Sequence, residues 1–256
     1  MSRNFELLQQ AGLNLTATVE MPPTLERELG ARVKKENGGS RAFAADLDRI
    51  AKEETLKLVQ SVFLLQGTST NHRAVVFAAI DSGSGCSRVC VHAAQMLAAN
   101  VSGSVCLVDA NFRTPSLPNA FGTTNHYGLA DALRTEKPLR GFVKALDRNL
   151  WLVSCGSAGE ASTNLLHSEQ MKRRFGELRK EFDYVLIDAP PLNTYSEGFA
   201  LGQLADGLVL VLEANATRRE TATKVTERLN ATEVKILGAV LNKRTFPIPD
   251  SLYRRL

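Results

Sequence analysis

The 256-residue sequence predicts an α/β fold, a mostly parallel β-sheet flanked by helices on both faces. Three observations carry that expectation. Short runs at 75–77, 105–108, 184–187, 208–212 and 236–241 are apolar on both faces, as buried parallel strands are. Stretches with apolar residues at helical spacing separate them, which makes strand–helix–strand units. Finally, Asp109, Asp188 and Asn242 each stand at the end of one of these runs, and the first run leads into a small-residue turn at 81–85. Ligands of parallel sheets bind at the carboxyl ends of strands, so these positions should gather on one edge.

Length and composition bound the answer further. A chain of this size buries one large core, so the expected organisation is an N-terminal arm at 1–43 and a single domain at 44–256. The arm has a short amphipathic patch (Phe5, Leu7, Leu8), then Pro22, Pro23 and the charged stretch KKENGGS, and it reads as mobile or loosely docked. Hydrophobic content of 44% excludes disorder across the whole chain. The net charge of +4 comes without a basic run, so no nucleic-acid partner is expected. Cys86, Cys90, Cys106 and Cys155 lack CxxC spacing, which argues against a zinc site or a disulfide framework and for a reducing cytoplasm. No signal peptide and no apolar run of the ~18 residues a membrane span needs are read, so the expected location is cytoplasmic, with any membrane association made through a partner.

The helices follow from their stripes. Leu47, Ile50, Ala51, Leu58, Val62 and Leu65 predict one long helix over 44–65, with Glu53, Glu54 and Lys57 on its charged face. Val89, Ala93, Met96 and Leu97 predict a second, ended by Ser102 and Gly103. Met171, Phe175, Leu178 and Phe182 predict a third, and Thr217 with Glu220 a capping box opening a fourth that carries Ala222, Val225 and Leu229.

Strand, glycine turn, helix is the layout of a phosphate-binding P-loop, in which backbone N–H groups and a helix N-terminus face an anion. Gly83, Ser84 and Gly85 allow such a cradle, Ser87 supplies a hydroxyl for Mg²⁺, and Asp109 and Asp188 supply carboxylates for the metal and for catalysis. One residue departs from the GxxxxGK[ST] pattern: Cys86 stands where the phosphate-binding lysine is expected. Each candidate has a plainer alternative. The two aspartates could merely cap turns, Arg88 either replaces the lysine as a cation or is a surface residue, and Cys86 is either a reactive thiolate at a helix N-terminus or a space filler. Cys90, one turn on, reads as core.

Several motifs in order then resemble a known family. LVDANFRTPSL (107–117) is similar to the second Walker motif of the P-loop bacterial tyrosine kinases (BY-kinases) of capsule and exopolysaccharide systems, relatives of the MinD and ParA ATPases. FGTTNHYGLADAL (121–133), VLIDAPPL (185–192), which resembles a Walker B strand, and GAVLN (238–242) support it, so that the resemblance spans roughly 45–245. It implies a P-loop NTPase-like fold, ATP or ADP with Mg²⁺ as cofactor, and Asn242 against the adenine base. It further implies an inner-membrane polysaccharide co-polymerase as partner, and a homo-oligomer, with Glu54 and Lys57 in the region through which such kinases form rings. Four departures weigh against activity: Cys86 for the lysine, Ile80 for the small residue that usually opens the loop, Asn111 for the second aspartate of the DxD motif, and a tail with only Tyr253 in place of a tyrosine cluster. The reading that follows is a pseudokinase-like subunit that binds nucleotide weakly or not at all. An active tyrosine autokinase of the same pathway and a MinD- or ParA-like positioning ATPase are the alternatives.

Overall fold

Alternation along each strand builds the molecule, because every central strand must find a cover for both of its faces. The computed structural model describes residues 18–20, 39–64, 73–158 and 160–243. Strands β1 (Thr18–Glu20), β2 (Ala74–Ala79), β3 (Val105–Asp109), β4 (Val143–Ala145), β5 (Leu150–Val153), β6 (Tyr184–Ala189), β7 (Gly207–Glu213) and β8 (Ile236–Asn242) form one sheet in the order β1-β8-β7-β2-β6-β3-β5-β4. Neighbouring strands are parallel except β4 with β5. The helices are α1 (Gly39–Val59), α2 (Cys86–Asn100), α3 (Leu117–Ala120), α4 (Leu129–Leu133), α5 (Glu169–Glu181), α6 (Glu197–Leu204) and α7 (Arg219–Ala231). Among the described residues no helix is long and apolar enough to cross a membrane.

Two buried clusters lie on the two faces of the sheet. On one, Val76, Ala78, Val108, Ile187 and Leu210 pack with Met171, Phe175 and Leu178 of α5, Phe199 of α6 and Val225 and Leu229 of α7. On the other, Val75, Phe77, Leu107, Leu186 and Val209 pack with Leu58, Val59 and Val62 at the end of α1 and with Val89, Ala93 and Leu97 of α2. Successive strand residues thus serve opposite layers, and each fully buried Leu or Phe contributes about 1.5–3 kcal/mol. Phe182 caps α5 rather than lying within it, and Cys90 is core, with no exposure.

Several boundaries differ from the sequence reading. Helical hydrogen bonding in α1 begins at Gly39, before Ala44, and gives way to a π-turn at Gln60–Leu64. The apolar stripe marks where a helix packs, not where its hydrogen bonds start. Within the stretch read as an arm, Thr18–Glu20 pairs in parallel with 239–241 of β8. Phe5, Leu7, Leu8, Pro22, Pro23, Leu65 and Tyr253 lie outside the described residues, as does KKENGGS as far as Gly38. The capping box does not form. Arg218 is the N-cap of α7, and the Thr217 hydroxyl accepts the Glu213 N–H at 3.0 Å, the donor left at the end of β7. Strands β4 and β5 and helices α3, α4 and α6 were not read from the sequence, since elements of three to eight residues are too short to show a clear period. On the charged face of α1, Lys57 pairs with Glu54 at 2.5 Å and Arg49 with Glu53 at 3.0 Å, so these charges are neutralised within the helix.

Gly128, just before α4, is required for space. Its φ of −174° suits any residue, but a Cβ there would lie 2.0 Å from the Ser154 carbonyl oxygen. Its N–H donates to the Asp131 carboxylate at 3.0 Å, which also accepts the Ser157 N–H at 3.0 Å. Gly128→Ala forces α4 off the end of β5, with an expected cost of about 3 kcal/mol and a melting temperature lower by roughly 6–10 °C in thermal denaturation.

Candidate functional site

The site is built at the carboxyl edge of the central strands. β2 lies between β6 and β7, and its chain leaves the sheet at Ile80 into the loop 81–85. Gly83 and Gly85 take φ of 81° and 80°, a left-handed backbone that other residues adopt only under strain. The Ser84 hydroxyl donates to the Asp81 carbonyl at 2.8 Å, and the Leu192 and Asn193 N–H groups donate to the Ala79 and Ile80 carbonyls at 2.9 and 3.0 Å. These bonds clamp the loop to the segment that follows β6. Helix α2 starts at Cys86 without a side-chain cap, and its first intrahelical bond runs from Val89 N–H to Gly85 O at 3.1 Å. The N–H groups of Cys86, Ser87 and Arg88 precede that bond and carry the positive end of the helix dipole. They open on a cavity of about 920 Å³.

Gly83, Ser84, Gly85, Cys86, Ser87 and Arg88 all line this cavity, as does Asn111. Asp109 and Asp188 are brought together beside it as register partners on β3 and β6, both fully buried. Their surroundings differ. Asp109 accepts the N–H groups of Asn111, Ser116 and Leu117, each at 3.2 Å, and so ties down the loop that carries the second Walker-like motif. Burial, with the neighbouring Asp188 charge, still pushes its pKa up to about 8. Among the described residues neither oxygen of Asp188 meets the geometry of a hydrogen bond, and burial raises its pKa to about 7. The Ser87 hydroxyl and the Cys86 thiol, polar groups beside Asp188, restrain that rise.

Cys86 is buried, and desolvation first, then the Asp188 charge, hold its thiol well above its usual pKa. The thiolate alternative is therefore corrected: at this helix N-terminus burial outweighs the dipole. Asn111 is closed on itself, its amide donating to the Thr114 hydroxyl at 3.1 Å and its carbonyl accepting the Thr114 N–H at 3.2 Å. Arg88 is exposed at the mouth and makes no hydrogen bond or ion pair among the described residues. Asn242 reaches the loop from the tip of β8 but does not line the cavity; its amide donates to the Ser84 carbonyl at 2.8 Å.

Sequence reasoning missed some residues of the site. His92 and Gln95 line the cavity one and two turns beyond Arg88, and that i, i+4, i+7 spacing was the available signal. Arg113 of FRTPSL pairs with the buried Glu197 at 3.1 Å and lies over the Tyr195 ring at 4.4 Å, joining the motif to α6. Nothing in the sequence pairs residues so far apart.

The arrangement suits a polyphosphate. Free helix-terminal N–H groups face the cavity, and the unpartnered oxygens of Asp188 beside Ser87 fit a hard cation brought in with it. Among the described residues no cluster of three or more His, Cys, Asp or Glu could hold a metal by itself, so phosphate oxygens and water would complete the shell.

No protein-family model matches the chain. The chain is 33% identical over 139 residues to tyrosine-protein kinase YwqD of Bacillus subtilis, a match over 54% of this chain and 59% of that protein. It is 23% identical over 221 residues to the putative tyrosine-protein kinase CapB of Staphylococcus aureus, over 86% and 96% of the two chains. The kinase domain of the Escherichia coli tyrosine kinase ETK superposes with a TM-score of 0.75 at 18% identity, covering 97% of this chain and 98% of the other. The chain is thus similar in sequence to bacterial tyrosine-protein kinases over about half of its length, and it shares the fold of a solved kinase domain over nearly all of it.

Proposed function

We propose that the protein is a pseudokinase-like subunit of capsule or exopolysaccharide production, which keeps the kinase scaffold and has given up phosphoryl transfer. One observation carries this reading: a buried, neutral thiol, Cys86, fills the place of the lysine ammonium, directly beside the buried carboxylate of Asp188. Phosphoryl transfer gathers negative charge, and a site with two buried carboxylates beside it and no lysine at position 86 stabilises it poorly. Asn111, locked to Thr114, cannot serve as a base or carry charge for a metal. Nucleotide, where it binds, would be held by the amides of the 83–88 segment, with Mg²⁺ on Ser87 and Asp188 and with Asp109 beside it. The ion would supply the charge neutralisation that the loop lacks. By analogy with its homologues the subunit would act on the cytoplasmic side of the inner membrane, docked on a polysaccharide co-polymerase and as one copy of a homo-oligomer.

Incubation of the purified protein with Mg-ATP is expected to give no phosphotyrosine above background. Robust phosphotyrosine that disappears on Ser87→Ala or Asp109→Ala would overturn the proposal. A second reading, an active kinase, is favoured by one feature, the exposed Arg88 lining the cavity, which has no ion-pair partner among the described residues. In that case Arg88→Ala lowers Mg-ATP affinity by about 10-fold, the loss of one charge-assisted contact, whereas an unchanged affinity removes Arg88 as the substitute cation.

A further inference from the structure

We infer that Cys86, Ser87 and Asp188 form a binding site for a thiophilic divalent cation, zinc being the physiological choice, at the start of α2. The three side chains stand together whether or not nucleotide binds, so the site does not rest on the nucleotide reading of the cavity. It shares Ser87 and Asp188 with the position proposed for Mg²⁺ and adds a sulfur.

Cys86 is the first residue of α2 and lines the cavity of about 920 Å³, so a hydrated ion can approach its sulfur from solvent. Asp188 comes to it from β6. Leu186 packs in the buried layer that contains α2 and Ile187 in the opposite layer, so the alternation of the strand turns the Asp188 carboxylate to the α2 side, under the first turn of that helix. There it has no exposure, and neither oxygen meets hydrogen-bond geometry among the described residues. Buried acceptors left open in this way call for a partner. The Cys86 thiol and the Ser87 hydroxyl stand beside them, and the buried carboxylate of Asp109, the register partner of Asp188, adds a second negative charge.

Ligand type then selects the ion. Sulfur from Cys86, oxygen from Asp188 and Ser87, and water from the cavity make a four-ligand set with one open position, which suits zinc. Magnesium asks for six oxygens in near-octahedral order, gives up water reluctantly and gains nothing from a thiol. As the sulfur–zinc bond forms, a zinc–water bond breaks and the thiol proton leaves to solvent, with no change of oxidation state; the ion's charge overrides the burial that keeps the free thiol neutral. Cysteine in place of lysine thus exchanges a fixed cation for a ligand of a mobile one. The spacing of the four cysteines argues against a zinc site made of cysteines, whereas here a carboxylate from a distant strand supplies the second charged ligand.

The test uses the full chain, reduced and without nucleotide, with Cys86→Ser and Asp188→Asn. Cadmium titration is expected to give the ultraviolet charge-transfer band of a cadmium–thiolate bond, saturating at a single ion and abolished by zinc but not by excess magnesium. Cys86→Ser should lose the band. Asp188→Asn should weaken cadmium binding by at least about 10-fold, the loss that follows even when a residue behind a metal ligand is removed. No band in the parent protein, a band that persists in Cys86→Ser, or displacement by magnesium as readily as by zinc overturns the site. Where a variant fails to fold, anomalous diffraction from zinc-soaked crystals of the parent protein decides: an ion about 2.3 Å from the Cys86 sulfur and about 2.0–2.2 Å from an Asp188 oxygen supports it, and no ion there overturns it. Phosphotyrosine formation decides the pseudokinase reading separately, so the two fail independently.

Discussion

Cys86→Lys is expected to raise the affinity for Mg-ATP by roughly 10- to 100-fold, the effect of one hydrogen bond from a charged donor, about 1.5–3 kcal/mol. The reasoning begins with what the thiol cannot do. It is neutral, because burial and the Asp188 charge hold its pKa far above the usual thiol value, so it offers the phosphates no charge. A lysine at the same place starts from the first residue of α2, at the border between the core and the cavity, and its stem can extend along the cavity wall that Cys86 lines. Its ammonium would stand beside Asp188, whose two unpartnered oxygens would then have a counter-charge, and the Asp188 pKa would fall. Calorimetry with Mg-ATP on the parent and variant proteins reads the outcome. Equal affinities would mean that the loop amides already supply what the lysine would, and Cys86 would lose its place in the argument for a silenced kinase. Gained affinity without gained phosphotyrosine would locate the remaining block at Asn111.

The ligand-free protein should lose stability as the pH rises through the range in which the two buried carboxylates ionise. The folded pKa values, about 8 for Asp109 and about 7 for Asp188, lie above the ordinary carboxylate value of 3.8. The folded state therefore binds more protons than the unfolded chain from about pH 4 upward, and stability falls with pH until both groups have ionised. The two side chains are register partners on adjacent strands and titrate as a pair. Between pH 6 and pH 8 the expected loss is on the order of 3 kcal/mol, or roughly 6–12 °C in melting temperature. Asp188→Asn should flatten this dependence, because it removes one acid and relieves the charge on the other. A melting temperature that stays level from pH 6 to pH 8 in the parent protein would show that the pair is already neutralised by a neighbour.

The strands and the loop were legible in the sequence for local reasons. Runs such as 105–108 and 208–212 are apolar on both faces, and only burial in a parallel sheet accommodates that. Gly83 and Gly85 announce a turn because both sit at positive φ, and the resemblance of 107–117 to a Walker motif located the second edge of the cavity. Boundaries were less legible. Thr217 looked like a helix cap by spacing, yet its hydroxyl went to the Glu213 N–H, because the end of a strand leaves a donor that sequence spacing does not reveal.

Sequence alone determined the order of β2, β3, β6, β7 and β8 and of the helices α1, α2, α5 and α7, the glycine loop at the carboxyl edge, and the substitution of Cys86 for lysine, since each depends on residue type within a few positions. Only the tertiary structure decided what those residues experience. It buried Cys86 beside Asp188 and raised its pKa, left Asp188 without a partner while giving Asp109 three N–H donors, and took the Asn242 amide to Ser84. The physical reason is range. Propensity and periodicity are short-range properties of the chain, whereas desolvation, charge coupling and the destination of a side-chain hydrogen bond depend on which distant segments the sheet brings alongside.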